Sequence, residues 1–143
     1  MKLVQISVFL ENKKGRLYDV CALFGKNNIN IRALTVAESE EFGILRVVVD
    51  KPEAAQKILK AKGFVSNFTD IIAVEVPDQP GGLAGILSVL NENNINVEYM
   101  YGFVEKFSEK ALLVFRFEDY RKALAVLKKN KMSIVGNKEA SCL

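Results

Sequence analysis

The sequence predicts an α+β protein built from two tandem copies of a ferredoxin-like βαββαβ unit. An internal repeat is the first observation that indicates this, because a shift of 66 positions aligns residues 11–31 with residues 77–97 without a gap. The second is the apolar spacing, which has a helical period in one segment of each copy and is flanked by β-rich segments. Self-similarity on this scale indicates a duplicated structural unit rather than one large domain.

Each copy opens with a β-rich segment, at residues 3–9 and at 71–76. The next segment has apolar residues at i, i+3, i+4 and i+7, which is the one-sided stripe of a helix packed on a sheet. The stripe consists of Leu17, Val20, Cys21 and Phe24 in the first copy and of Leu83, Ile86, Leu87 and Leu90 in the second. Both helices are expected to end at asparagine-rich turns, 27–28 and 93–94, since asparagine tolerates the left-handed backbone conformation.

A second strand is expected to begin at Asn30 in the first copy and at Asn96 in the second. A third strand, a second helix and a short closing strand follow. These elements are predicted near residues 43–49, 52–62 and 63–67 in the first copy, and near 111–117, 119–129 and 132–136 in the second. The two helices of each copy then lie on one face of a four-stranded antiparallel sheet.

The repeat divides the chain into two predicted domains, residues 1–67 and 68–143. A unit of this size buries only about 60% of the surface that its unfolded chain exposes, so it is marginally stable alone. Its sheet also has edges that need covering. Almost no linker separates the copies, and we therefore expect them to pack together as one compact pseudo-dimer.

The composition excludes most familiar kinds of catalysis. The 143 residues include no histidine, so Ser-His and Cys-His catalytic pairs and histidine-bound metals are impossible. The two cysteines, Cys21 and Cys142, cannot supply a four-thiolate zinc site. Cys21 lies in the helical stripe, where a small buried thiol is expected. We predict that the protein is not an enzyme and has no catalytic residue, metal or cofactor.

The overall composition is that of a folded chain, because half of the residues are apolar and the net charge is only +3. No apolar run approaches the ~18 residues that a membrane span needs. The first residues also lack the long apolar core and the small-residue cleavage site of a signal peptide. These features predict a cytoplasmic protein with no membrane partner.

The most informative local motif is the segment Asp78-Gln79-Pro80-Gly81-Gly82-Leu83, between the first strand and the first helix of the second copy. Glycine lets the backbone approach a ligand closely, and the N–H groups at a helix N-terminus attract anions such as a carboxylate. The Asp78 carboxylate accepts hydrogen bonds from an ammonium group, and we expect Asn96 to emerge nearby with a donor and an acceptor. One pocket with these groups suits an α-amino acid.

The matching residues of the first copy are Asn12, Gly15 and Asn30. These residues also have a purely structural interpretation, which is the alternative to a binding site. Asp78 is a suitable helix cap, and the asparagines are typical turn residues. From spacing alone the structural interpretation is favoured.

The pattern D-x-P-G-G-L, followed by N-I-N-V at the second strand, resembles the ACT domain over nearly the whole chain. The resemblance implies a regulator of amino-acid metabolism that binds an amino acid or a similar small carboxylate. It also implies an eight-stranded sheet formed by paired domains, with ligands at their interface. The implied ligand contacts are Asn12, Gly15 and Asn30 in the first copy, and Asp78, Gly81 and Asn96 with the adjacent Gly82 in the second.

The first copy departs from this pattern, since Asn12-Lys13-Lys14-Gly15-Arg16 lacks the proline and the second glycine. The two copies are therefore expected to be unequal, with one binding and the other structural as one possible outcome. The resemblance shifts the balance toward ligand binding.

Two other interpretations remain open. RNA-recognition motifs have the same βαββαβ order, but they need exposed aromatic residues and a basic surface. Residues 1–68 carry 11 basic and 7 acidic side chains and residues 69–143 carry 9 and 10, so neither half is strongly basic and we expect no nucleic-acid partner. The other interpretation is a docking subunit that binds no ligand. Whether the chain is a ligand-binding regulator or a docking subunit, the expected partner is a separate metabolic enzyme. Exposed strand edges also make a homodimer plausible.

Overall fold

The computed structural model describes residues 3–11, 13–38, 42–104 and 110–136. Within them lie four helices and seven strands that repeat the βαββαβ order twice. The elements are β1 (Leu3–Glu11), α1 (Arg16–Lys26), β2 (Ile31–Glu38), β3 (Phe42–Val49), α2 (Pro52–Ala61), β4 (Val65–Pro77), α3 (Gly82–Glu92), β5 (Val97–Gly102), β6 (Lys110–Phe117), α4 (Tyr120–Lys129) and β7 (Ile134–Val135). The predicted α+β class and the tandem ferredoxin-like units are confirmed.

The chain divides into two compact units. The first unit is Val4–Thr69, and the second comprises residues 70–136 together with Leu3. The sequence predicted two separate strands near residues 63–67 and 71–76, but the structure joins them into the single strand β4. Residues 65–69 of β4 close the first unit, and residues 70–77 open the second.

The first unit pairs β3 antiparallel with both β1 and β2. Ile6 lies beside Val47, and Ile31 lies beside Val49. One face of this sheet packs against α1 and α2, because alternate strand residues and the helical stripes form one cluster. The fully buried members of that cluster include Ile6, Val8, Leu45, Val47, Val20, Phe24, Ala55 and Leu59.

The second unit repeats this arrangement, with β6 antiparallel to both β4 and β5 and with β7 paired to β4. Phe115 and Phe117 are buried in its core with their rings stacked, and the ring centroids are 5.6 Å apart. Buried residues of α3 and α4 complete this core, namely Ile86, Leu90, Ala123 and Leu127. The two phenylalanines therefore face the helices, as expected for a core and not for a base-stacking surface.

The helical stripes are narrower than the sequence predicted. Leu17 is 40% exposed and Leu83 is 38% exposed, because these first-turn residues lie at the end of each helix. Cys21 is only half-buried rather than fully enclosed, and burial raises the pKa of its thiol. Cys142 lies outside the described residues.

The asparagine turns are confirmed. Asn28 and Asn94 have left-handed backbones, with φ of 57° and 55°. The amides of Ile29 and Ile95 then donate back to the carbonyls of Phe24 and Leu90. These bonds satisfy carbonyl groups that a helix end leaves unpaired.

None of the four helices in the described part of the chain combines the length and the apolarity needed to cross a membrane.

Candidate functional site

The strand-to-helix turn of the second unit is tightly folded around two glycines. Gly81 is the N-cap of α3, with φ of 85°. The amide of Gln79 donates to the Pro77 carbonyl at 2.9 Å, and the amide of Gly82 donates to the Gln79 carbonyl at 3.0 Å. These two bonds fold the end of β4 back against the start of α3.

Gly82 has a steric role in this turn. A Cβ atom at position 82 would overlap the carbonyl oxygen of Pro77. The first turn of α3 contains no acidic side chain, so no charge within the helix itself compensates the positive end of its dipole. Asp78 is exposed beside this turn. The turn therefore presents helix amides that suit a carboxylate, next to a carboxylate that suits an ammonium group.

The equivalent turn of the first unit is built on charged side chains. Gly15 has φ of 92° and caps α1, but Arg16 stands where the second unit has Gly82. Glu11 pairs with Lys13 at 2.9 Å and with Arg16 at 3.7 Å, and Arg16 also lies 3.9 Å from Asp19.

A hydrogen bond from Lys13, reinforced by the positive charges of Lys13 and Arg16, lowers the pKa of the Glu11 carboxyl. The guanidinium carbon of Arg16 lies 5.0 Å from the centre of the Phe64 ring. Asn12, the predicted ligand residue of this turn, lies outside the described residues. The turns thus differ in chemistry, one being rich in glycine and the other in ion pairs.

Asn30 and Asn96 directly precede the second strand of each unit, which the sequence had predicted to begin at them, and both are exposed. The amide of Asn30 donates to the Asp50 carboxylate at 2.9 Å, and the amide of Asp50 returns a bond to the Asn30 carbonyl at 3.1 Å. The Asn96 carbonyl accepts from the amide of Glu118 at 3.4 Å.

The expectation that Asn96 emerges beside the Asp78 turn is wrong within one unit. Pro77 pairs with Lys110 at one end of β6, whereas Val97 pairs with Phe117 at the other end. Seven residue steps along a strand span about 24 Å, which is farther than an amino acid reaches. In the first unit, Gly15 and Asn30 are separated in the same way, since Glu11 pairs with Phe42 and Ile31 with Val49.

A hollow of about 640 Å³ lies at the Asn96 end of the second unit. We call it the corner hollow, and it is lined by Asp70, residues 94–96 and residues 118–122. Sequence reasoning identified only Asn96 among these residues. The signal that was missed is strand direction, because the end of the third strand in a βαββαβ unit lies beside the start of the second. A second hollow, of about 460 Å³, lies in the first unit between α2 and Phe64.

Among the described residues, no group of three or more cysteine, aspartate or glutamate side chains is arranged to hold a metal ion.

The sequence profile of the ACT domain pair matches residues 1–143. The chain belongs to the ACT domain pair family. This confirms the family that the glycine turn and the asparagine-led strand indicated. A comparison of this ACT chain with curated protein sequences yields no significant match.

Several solved structures are similar to this chain. Protein BT0572 from Bacteroides thetaiotaomicron has a TM-score of 0.93 and 39% identity, covering 100% of this chain and 98% of its own. The ligand-free regulatory subunit of aspartate kinase from Thermus thermophilus has a TM-score of 0.62 and 15% identity, covering 90% and 93%. The corresponding subunit from Thermus flavus has a TM-score of 0.59 and 16% identity, and the match covers 90% of this chain and 92% of that subunit. At such low identity, the two kinase subunits show a shared fold alone.

Proposed function

We propose that this ACT domain pair is a non-catalytic regulatory protein that binds an amino acid and acts on a separate metabolic enzyme. The observation that carries the proposal is the second unit's turn, where Gly82 allows the Pro77 carbonyl to approach the start of α3. The resulting turn leaves the first helical amides without an acidic neighbour in the helix. The named function of the two Thermus relatives, regulation of aspartate kinase, supports a role in amino-acid metabolism.

The proposed binding chemistry uses the two oppositely charged groups on the α-carbon of an amino acid. The α-carboxylate accepts hydrogen bonds from the first-turn amides of α3 that follow Gly82, whose own amide donates to the Gln79 carbonyl. The helix dipole adds about half a positive charge there. The ammonium group donates to the exposed carboxylate of Asp78. Gly81 and Gly82 contribute backbone only. The space beside Gly81 is open to a ligand, whereas the missing side chain of Gly82 makes room for the Pro77 carbonyl.

Asn96 is the second proposed binding element, and the register places it too far from the same unit's turn to share one ligand with it. We therefore propose the turn and Asn96 as separate half-sites. The family resemblance puts ligands where two ACT units meet, and that location stays a prediction. Gly15 and Asn30, with Asn12, are the proposed counterparts of these half-sites in the first unit.

A thermal-shift panel of the twenty common amino acids tests the proposal. A ligand present at about 100 times its Kd stabilises the folded state by about 2.7 kcal/mol, which raises the Tm of small domains by several degrees. Asp78→Asn is expected to abolish the shift because it removes the charge that pairs with the ammonium group. Glu92→Gln is the matched control, since it removes one exposed acidic charge at the far end of the same helix.

Two thermal-shift outcomes and one mass measurement distinguish the candidate functions. A shift that is lost in Asp78→Asn and kept in Glu92→Gln supports amino-acid binding at the turn. No shift with any amino acid refutes the ligand-binding proposal and leaves the docking subunit. Docking through strand β2 is the form of that alternative with structural support, because β2 ends the sheet and exposes Leu34 and Val36 by 37% and 39%. A homodimer formed through this edge would be recognised by its mass in solution.

A further inference from the structure

The corner hollow of the second unit has a counterpart in the first unit, at the junction of the α1–β2 turn with the start of α2. There, the ammonium group of Lys51 donates to the backbone carbonyl of Asn28 at 2.7 Å. The first unit thus places a primary ammonium group on the carbonyl of its left-handed asparagine.

The second unit has the same backbone at this corner and a different side chain. Asn94 matches Asn28 and has nearly the same φ, 55° against 57°. Asp119 stands in the position of Lys51. Its carboxylate accepts a hydrogen bond from the Lys122 amide at 3.1 Å and so caps α4. The side chain that supplies the cation in the first unit is therefore replaced by an acidic one that is used for capping.

We propose that the corner hollow binds the primary ammonium group of a small amino-acid ligand, at the place that Lys51 occupies in the first unit. The volume of about 640 Å³ is within the usual range of about 300–1,000 Å³ for small-molecule sites. The choice of an amino acid over a simple amine rests on the proposed function, whereas the ammonium site itself rests on the internal comparison.

The charges around the hollow fit this ligand. The acidic residues Asp70 and Glu118 line it and favour a cation, whereas the Asp119 carboxylate is engaged in capping α4. Arg121 and Lys122 also line it, and they are suited to the carboxylate that an amino acid carries. Both cations would repel a bare metal ion, so a zwitterion matches the mixed charges better than a divalent cation does.

The test is a titration of the ¹⁵N-labelled full-length chain followed by amide NMR spectra. The probes are L-alanine, propylammonium chloride and sodium propionate at constant ionic strength. We expect L-alanine and propylammonium to shift the amide signals of residues 94–96 and 118–122, because both carry a primary ammonium group. Propionate, which lacks one, is expected to leave those signals in place.

Asp119→Lys copies the first unit's arrangement and gives the corner its own ammonium group. We expect this change to weaken propylammonium binding by about tenfold or more, the effect of losing a charged hydrogen bond. Asp119→Asn is the matched control, because asparagine caps helices as well as aspartate does and adds no cation. The Kd of the Asp119→Asn chain for propylammonium is expected to remain within about threefold of that of the natural chain. If Asp119→Lys does not fold, Glu118→Gln replaces it and is expected to weaken binding in the same direction.

Each result separates the corner proposal from the proposed function. Shifts at residues 94–96 with propylammonium, lost in Asp119→Lys, support the corner even if no amino acid acts at the Asp78 turn. Amino-acid shifts confined to residues 78–83 support the turn and overturn the corner. Equal shifts with propionate, or unchanged binding in Asp119→Lys, also overturn it.

Discussion

Gly82→Ala tests the central steric feature of the second unit's turn. The added methyl group would overlap the Pro77 carbonyl oxygen, approach the Pro77 carbonyl carbon to 3.1 Å and contact Val76 at 3.5 Å. Because the first two contacts are with backbone atoms, no side-chain rotation relieves them. The start of α3 must move away from the end of β4.

The first unit shows how far such a turn can open. Arg16 holds the matching position, and its amide lies 3.3 Å from the Lys13 carbonyl, compared with 3.0 Å for Gly82 and Gln79. This relaxation puts the steric cost near the middle of the usual range for overpacking, about 2 kcal/mol. The alanine restricts the unfolded chain and recovers about 0.4–1 kcal/mol. The expected net loss is about 1–1.5 kcal/mol.

Gly85→Ala is the matched control in the same helix. A Cβ at position 85 meets no atom within 4 Å, so alanine should stabilise α3 by about 0.5–1 kcal/mol through helix propensity. The two variants should then differ by about 2 kcal/mol, or roughly 8–16 °C in Tm for a domain of this size. Thermal unfolding followed by circular dichroism measures the difference. Equal Tm values for the two variants, or a Gly82→Ala chain as stable as the natural one, would refute the steric reasoning.

Three further predictions concern packing, capping and charge. Leu90→Ala should cost about 2–5 kcal/mol in denaturant unfolding because Leu90 is 1% exposed, whereas Leu83→Ala, on the 38%-exposed rim of the same helix, should cost under about 1 kcal/mol. Asp119→Ala should destabilise the second unit by about 1 kcal/mol through loss of the α4 cap, and a loss equal to that of Asp119→Asn would contradict the capping role. Lys13→Gln should raise the Glu11 pKa toward its ordinary 4.5 in an NMR titration. Since the folded-state pKa of Glu11 is depressed, its contribution to stability is present above pH 4.5 and is lost as the pH falls through the lowered value. An unchanged pKa in Lys13→Gln would show that this ion pair does not form in solution.

The repeat and the order of elements were predictable because they depend on local chemistry. The stripe that contains Val20 and Phe24 has helical spacing, and both residues are fully buried. Asn28 and Asn94 end their helices because asparagine adopts left-handed backbone angles at low cost. The continuity of β4 was not predicted, since turn and strand propensities around residues 65–70 do not reveal whether a strand stops between units.

The site was predictable only in part. Gly81 was expected to let a ligand approach the backbone, and that stays a prediction. The close approach in the structure is that of the Pro77 carbonyl to Gly82. The expected proximity of Asp78 and Asn96 was wrong because α3 carries the chain back along the sheet before β5 begins. An 11-residue helix spans about 16 Å, so the turns at its two ends cannot meet.

The sequence by itself determined two ACT units, the glycine turn of the second and the charged turn of the first. Each of these features depends on residues that are neighbours along the chain. Only the tertiary structure decided that Asn96 lies beside Glu118, at the opposite end of β6 from Pro77. It also decided that Asp119 caps α4 where Lys51 reaches the Asn28 carbonyl in the first unit. These contacts depend on strand pairing between residues far apart in sequence, and side-chain types alone do not reveal that register.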